Sequence, residues 1–152
     1  MSDAVATAGI VIEILPEDDN LVATVYEIDS SMSVEEQDGL VTLSLVPVLN
    51  DKEILGDTYI DGEIAFNRTI EIGNRAGLRA ANALMRQTEK IPDGWKDKCF
   101  VFTGTAIRNK HNEFYIVYVQ WNIYTSRWMK NLCFLDCGWR EDSQMVQMVA
   151  VN

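Results

Sequence analysis

The sequence is short of the residues on which most enzymes and metal sites rely. It has a single histidine, His111, and only three cysteines and three prolines among 152 residues. A Ser-His-Asp or Cys-His nucleophile would have to use that one histidine, and no phosphate-binding loop, dinucleotide fingerprint or nucleophile elbow occurs. We therefore expect no catalytic residue and no cofactor, and an enzyme that works without histidine ranks last among the possible functions.

Long apolar runs are missing as well. No stretch approaches the ~20 residues that span a bilayer, and the first eight residues lack the positive region typical of a secretory signal. The three cysteines (Cys99, Cys133 and Cys137) form an odd set, which in the absence of a signal indicates reduced thiols. These features predict a cytoplasmic protein without membrane contact, and its length predicts one domain, 1–152.

Metal ligands are scarce and poorly spaced. Cys99 and His111 fall at opposite ends of a predicted hairpin, over roughly 30 Å apart, and Cys133 and Cys137 are more loosely spaced than a strong zinc pair. The run 57–62 resembles the start of a calcium loop but lacks the bidentate glutamate that ends such a loop. The sequence therefore predicts no metal site.

Short alternating and β-branched segments dominate the chain, which favours strands. The predicted strands are 9–15, 21–28, 40–48, 62–72, 99–108, 113–125, 131–139 and 144–151. The first two are expected to form one hairpin, and 99–108 with 113–125 a longer one. The fold class predicted is mainly β (α+β), with an antiparallel sheet folded as a sandwich or partly open barrel.

One inserted helix is predicted, over about residues 75–90. Asn74 suits its N-cap, and Pro92 restricts the residue before it, so the helix should stop there. At 100° per residue, small and apolar residues form a packing face. Four cations follow an adjacent stripe: Arg75, Arg79, Arg86 and Lys90. Such a stripe can bind phosphates or an acidic surface, and the alternative is that it binds the protein's own acidic half.

Charge is divided unevenly along the chain, whose formal net charge is −10. Residues 1–67 hold 15 acidic residues against one lysine, whereas residues 68–152 hold 12 basic residues against 8 acidic ones. The predicted acidic surface comprises Asp18, Asp19, Glu35, Glu36, Asp38, Asp57, Asp61 and Glu63. It could bind a basic partner or imitate a phosphate backbone. Alternatively, the two halves interleave and neutralise each other.

Aromatic residues concentrate in the second half, where eleven of the fourteen lie between residues 95 and 139 among lysines and arginines. This mixture is typical of surfaces on which single-stranded nucleic acid stacks. On the strand predicted over 113–125, Tyr115 and Trp121 should face the core. Phe114, Tyr118 and Tyr124 share the other, amphipathic face and form a possible stacking surface.

The function predicted first is a non-catalytic binding or assembly protein that acts through charged surfaces, on a protein partner or on itself. A small viral or mobile-element accessory or structural protein would fit this sequence. The alternatives are an acidic mimic of nucleic acid that inhibits a nucleic-acid-binding protein, and a single-stranded nucleic-acid-binding protein that uses the basic helix and aromatic strands. A histidine-independent enzyme comes after them.

Overall fold

The computed structural model describes residues 9–21, 26–56 and 59–151, and these residues are mainly β. The strands are β1 (Ile10–Ile14), β2 (Tyr26–Asp29), β3 (Gly39–Pro47), β4 (Cys99–Asn109), β5 (Phe114–Asn122), β6 (Arg127–Phe134) and β7 (Ser143–Ala150). They form one seven-stranded sheet in the order β1-β3-β7-β4-β5-β6, and β2 pairs with β4. The sheet curls into a half-barrel, which confirms the mainly-β class. It is mixed rather than purely antiparallel, because β4 and β7 run parallel.

The predicted hairpin over residues 9–28 is wrong. Strand β1 pairs with β3, with Ile12 opposite Val41, and β2 pairs with β4; residues 22–25 of the predicted second strand lie outside the described residues. A 3-10 turn over Pro16–Asp19 follows β1, and the Leu15 amide donates to the Asp18 carboxylate at 2.8 Å. The 99–108 and 113–125 hairpin is confirmed as β4 and β5.

The described residues contain three α-helices rather than one: α1 (Asp51–Leu55), α2 (Gly62–Ile72) and α3 (Leu78–Arg86). The structure has helix α2 where the sequence predicted a strand over 62–72. The apolar residues of this segment recur both at the two-residue spacing of a strand and at the spacing of a helix. Its buried residues recur at helical spacing: Gly62, Ala65, Phe66 and Thr69. The alternating isoleucines are left about half exposed. The signal missed was Asp61, whose side chain accepts from the Glu63 amide at 2.8 Å and caps the helix.

Helix α3 fills the concave side of the half-barrel. It is shorter than the predicted 75–90, since Thr88–Lys90 forms a separate 3-10 turn. Its buried residues are Leu78, Ala80, Ala81, Ala83 and Leu84, and they share one cluster with Ile12, Leu43, Phe100 and Val117 of the sheet. Three alanines on this face let the helix approach the sheet closely, which makes α3 the centre of the main core.

The outer face of the sheet packs against α2 through a second cluster that includes Phe66, Val101, Ile116 and Met145. An ion pair joins α1 to α2: Arg68 donates to both carboxylate oxygens of Glu53, at 2.7 and 2.9 Å. These hydrogen bonds outweigh the effect of burial and lower the pKa of Glu53 to about 2. The pair therefore fastens the short helix α1 onto the layer outside the sheet.

An irregularity in β4 positions the start of α3. The pairing with β5 shifts between Phe102 and Ile107, where β4 carries extra residues. Gly104, inside this bulge, donates its amide to Ala76 O at 2.8 Å and accepts from the Val34 amide at 2.7 Å. A Cβ on Gly104 would lie 2.7 Å from Ala76 C. The bulge thus holds both the entry to α3 and the acidic segment that precedes β3.

We predict that Gly104→Ala destabilises the fold by about 2 kcal/mol or more, because the added methyl group overlaps backbone atoms that cannot rotate away. Chemical denaturation would measure the change. Gly94→Ala is the matched control, since a Cβ there meets nothing within 4 Å. Equal losses for the two variants would contradict the close approach.

A second prediction concerns acid stability. Because the folded-state pKa of Glu53 is below its ordinary value of 4.5, the ion pair stabilises the fold above that value. The contribution should disappear as the pH falls through about 2. Glu53→Gln should therefore weaken the dependence of unfolding free energy on pH between those two values. An unchanged dependence would contradict the ion pair.

Candidate protein-binding site

Two of the four cations on the predicted basic stripe are turned toward the protein's own acidic half. Arg86 contacts both carboxylate oxygens of Asp18, at 2.7 and 2.5 Å, and Asp18 is only 2% exposed. Arg79 contacts the Asp38 carboxylate and donates to the carbonyls of Glu36 and Leu15, each at 2.9 Å. These contacts tie the turn after β1 and the residues that precede β3 to α3, and they leave little of the stripe for a partner.

The other two cations lie elsewhere. Arg75 precedes α3, is half-buried, donates to Thr103 O at 2.8 Å and lies 5.5 Å from the centre of the Phe66 ring. Lys90 is exposed in the 3-10 turn after α3. The four residues therefore do not form one surface.

Glu36 closes the N-terminus of α3. Its carboxylate accepts hydrogen bonds from the amides of Gly77 at 3.0 Å, Arg79 at 2.9 Å and Ala80 at 3.1 Å. The remaining amide, that of Leu78, donates to the Thr105 hydroxyl at 2.8 Å. Burial raises the pKa of Glu36, and the three amides and the Arg79 charge oppose that rise without cancelling it. The anion that suits a helix N-terminus is thus supplied by the protein itself.

The predicted acidic surface is smaller in the structure than in the sequence. Asp18 and Glu36 are buried, Asp38 pairs with Arg79, and Asp57 lies outside the described residues. The exposed members without an ion pair within the described ranges are Asp19, Glu35, Asp61 and Glu63. Burial pushes the pKa of Asp18 upward, but its bonds to Arg86 and the Leu15 amide, with the nearby arginine charges, hold it below the ordinary value.

Most ion pairs join the two halves of the chain. Among the described residues, five of the seven ion pairs link an acid before residue 68 to a base after residue 67: Asp18–Arg86, Asp38–Arg79, Glu53–Arg68, Glu27–Arg108 and Asp29–Arg108. The two halves of the chain are thus joined by ion pairs inside one molecule, and most of the acidic excess of the first half remains unneutralised.

The three residues of the predicted stacking surface are dispersed. Phe114 and Tyr118 lie on β5, half-buried, and Phe114 packs against the second cluster. Burial raises the pKa of Tyr118. Tyr124 lies in the turn after β5 and is 92% exposed. On the opposite face, Tyr115 turns inward as predicted, since its ring contacts that of Tyr26 at 5.4 Å beside the main core. Trp121 instead lines a surface concavity and belongs to neither core cluster.

The described residues offer little reactive chemistry. They contain no group of three or more His, Cys, Asp or Glu side chains that could hold a metal. Burial raises the pKa of Cys99 and Cys133 to about 12, so these thiols stay protonated at neutral pH. Among the helices within the described ranges, none is long and apolar enough to cross a membrane.

At Glu13, one edge of the sheet is bonded by α3 and by the residue that follows it. The amide of Glu13, in edge strand β1, donates to Gln87 Oε1 at 3.2 Å, and Gln87 Nε2 donates to Glu13 O at 2.9 Å. Arg86 adds a bond of 3.0 Å to the same carbonyl. The Gln87 amide thus takes the place of a neighbouring strand at this point of β1, where a second chain could otherwise pair.

Within the described residues, no strand pairs with the outer side of β6, which forms the opposite edge of the sheet. The Leu135 amide donates to Phe114 O at 2.9 Å, and the register along β6 is unbroken. Because hydrogen-bonded pairs alternate in an antiparallel ladder, the odd-numbered residues of β6 bond to β5. The even-numbered residues direct their amides away from the sheet: Trp128, Lys130, Leu132 and Phe134. Within the described ranges these four amides have no hydrogen-bond partner.

The usual protections of an edge strand are weak in β6. The strand has no proline and no irregularity in its register. Its one lysine, Lys130, donates to the Asn82 side chain of α3 rather than projecting past the edge. Exposed apolar side chains surround the strand: Ile123, Tyr124, Met129 and Phe134. Sequence reasoning missed this edge: the strand predicted over 131–139 lies at 127–134 in the structure, and the residues of β6 do not alternate between polar and apolar, since Trp128 precedes Met129 and Lys130 precedes Asn131.

The chain matches no protein-family model, no curated protein and no solved structure. The site is therefore characterised by its own geometry. An unpaired row of backbone amides, bordered by apolar side chains, can accept a β-strand from another molecule.

We predict that Glu36→Ala destabilises the protein by about 2–4 kcal/mol, because it leaves three amides at the start of α3, two of them buried, without an acceptor. Glu36→Gln should cost less, since its side-chain oxygen can still accept. Thermal and chemical unfolding would give both values. The neighbouring exposed residue supplies the control: Glu35→Ala should change the stability by less than about 0.5 kcal/mol, and a similar loss there would contradict the role of Glu36.

Proposed function

We propose that this protein is a non-catalytic binding or assembly protein that accepts a β-strand along the β6 edge. The observation that carries the proposal is the unequal treatment of the two sheet edges. Gln87 and Arg86 bond to the backbone of β1 at Glu13, whereas the outward amides of β6 have no partner within the described ranges. An open edge of this kind favours pairing with another strand.

Main-chain hydrogen bonds would supply the affinity, and alternate side chains the specificity. On the concave face of β6, Trp128 and Leu132 are half-buried against the main core. On the other face, Met129 is 37% exposed. An incoming strand would therefore meet an apolar surface on both sides of the new ladder, and its burial would add to the backbone bonds.

Charged surfaces have a smaller role in this proposal than in the expectation from sequence. Arg79 and Arg86 already serve the protein's own carboxylates, so removing them would damage the fold before it affected a partner. The exposed carboxylates that remain act on solubility and on the direction of approach.

A second candidate, single-stranded nucleic-acid binding, has support at one place outside the basic helix. Lys96 Nζ lies 4.1 Å from the centre of the Trp121 ring, and the two residues line a concavity of about 450 Å³ with Lys98 and Tyr124. Asp97 and Asp142 line it too and would repel phosphates. Fluorescence anisotropy with a labelled oligonucleotide, at about 50 and about 200 mM salt, tests it: binding should weaken steeply with salt, and no binding at low salt would exclude it.

Hydrogen exchange tests the open edge directly. In dilute protein that is monomeric, the amides of Trp128, Lys130 and Leu132 should exchange at least about tenfold faster than those of Met129 and Asn131, which bond to β5. Residue-resolved exchange followed by NMR would measure the difference within one strand, so the inward amides are the control. Strong protection of the outward amides in the dilute monomer would mean that the edge is closed, and the proposal would fail.

A further inference from the structure

We infer that the strand accepted by β6 is the β6 strand of a second copy of this chain, paired antiparallel about a two-fold axis at Asn131. The inference rests on the proposed function and names its partner. It follows from two properties of β6, the direction of its free amides and the order of its side chains.

The direction of the free amides limits the register. A two-fold axis perpendicular to the sheet keeps the concave faces of both copies on the same side, so even-numbered residues must lie opposite even-numbered residues. The outward amides belong to these same residues, Trp128 to Phe134 in steps of two, so such registers allow a hydrogen-bonded ladder, in which the Phe134 carbonyl would accept a second bond beside that from the Cys137 amide at 3.0 Å. The axis must then pass through a residue of β6.

Charge and overlap select among the remaining registers. An axis at Lys130 would place the two lysines directly opposite each other, which is destabilising. An axis at Met129 or Leu132 would pair only about five residues of each strand. An axis at Asn131 pairs seven residues, 128–134, and puts no like charges opposite each other. Each copy brings Arg127 and Lys130 and no carboxylate to this edge, and in this register the two Lys130 residues lie diagonally, not directly, opposite each other.

The order of the side chains is self-complementary about Asn131. Trp128 would lie opposite Phe134 of the second copy, Lys130 opposite Leu132, and Met129 opposite Cys133. The two Asn131 side chains would meet at the axis, where each amide can donate to the other. The Trp128–Phe134 and Met129–Cys133 pairs are apolar pairs of the kind that stabilises a ladder. A partner of the same sequence thus satisfies both faces of the strand.

A cysteine at the axis tests the register. Asn131 is a non-hydrogen-bonded position, where opposite Cα atoms lie about 4.5 Å apart, within the range a disulfide needs. The variant Asn131→Cys, made together with Cys137→Ser to remove the exposed thiol, should form a covalent dimer in most molecules under mild oxidation. His111→Cys, in the exposed β4–β5 turn, is the control and should remain monomeric; equal cross-linking of both variants would overturn the register.

Sedimentation velocity from about 1 μM to about 1 mM tests the dimer without a cross-link. The unmodified protein should pass from monomer to dimer, and its outward β6 amides should gain protection over the same range. Lys130→Pro removes an outward amide but no bond to β5, so it should abolish the dimer and leave the circular dichroism spectrum unchanged. If that variant does not fold, the cross-linking result stands independently.

The failures of the two proposals are distinguishable. A protein that stays monomeric throughout, fails to cross-link at Asn131 and yet exchanges its outward amides freely would overturn the second-copy inference alone, leaving a different strand as the partner. Outward amides protected in the dilute monomer would overturn both.

Discussion

The carboxylate of Glu36 at the start of α3 is the contact on which the rest of the arrangement depends. It accepts from three amides of one helix end, and it brings with it the acidic segment that precedes β3. Gly77 leaves the room this requires, because a Cβ there would lie 2.1 Å from the Thr105 hydroxyl. Without this anion, the helix that fills the half-barrel would begin with unpaired buried amides.

Side chains from the middle and the far end of helix α3 connect it to the turn after β1, to the edge of the sheet and to β6. Arg86 holds the buried Asp18 in the turn after β1, and Gln87 bonds to the backbone of Glu13 at the edge of the sheet. On the far side the helix reaches β6 only through side chains, where Asn82 accepts from Lys130. One helix therefore fills the core and bonds to one sheet edge at Glu13, while the outward amides of the other edge have no partner within the described residues, and this inequality is the basis of the proposed strand-binding function.

The expectations from sequence failed where a local pattern could not determine which distant segment would pair with it or cover it. Over 62–72 the isoleucines alternate as in a strand, yet Ala65, Phe66 and Thr69 also recur as in a helix, and only the Asp61 cap separates the two. The hairpin predicted over 9–28 does not form, because β1 pairs with β3. The expectation that Glu36 belongs to an acidic surface was wrong for a similar reason. Nothing in the sequence near Glu36 indicates that it caps a helix 41 residues further along the chain.

The sequence by itself determined the mainly-β class, the β4–β5 hairpin, the position of the central helix and the strong division of charge, because alternation, helical period and composition are local properties. The tertiary structure alone decided which carboxylates are buried, which cations are already paired and which sheet edge is open. Those outcomes depend on contacts between distant segments, such as Asp18 with Arg86 or Glu13 with Gln87. A local pattern reports which face of a segment is apolar, but not what will cover that face.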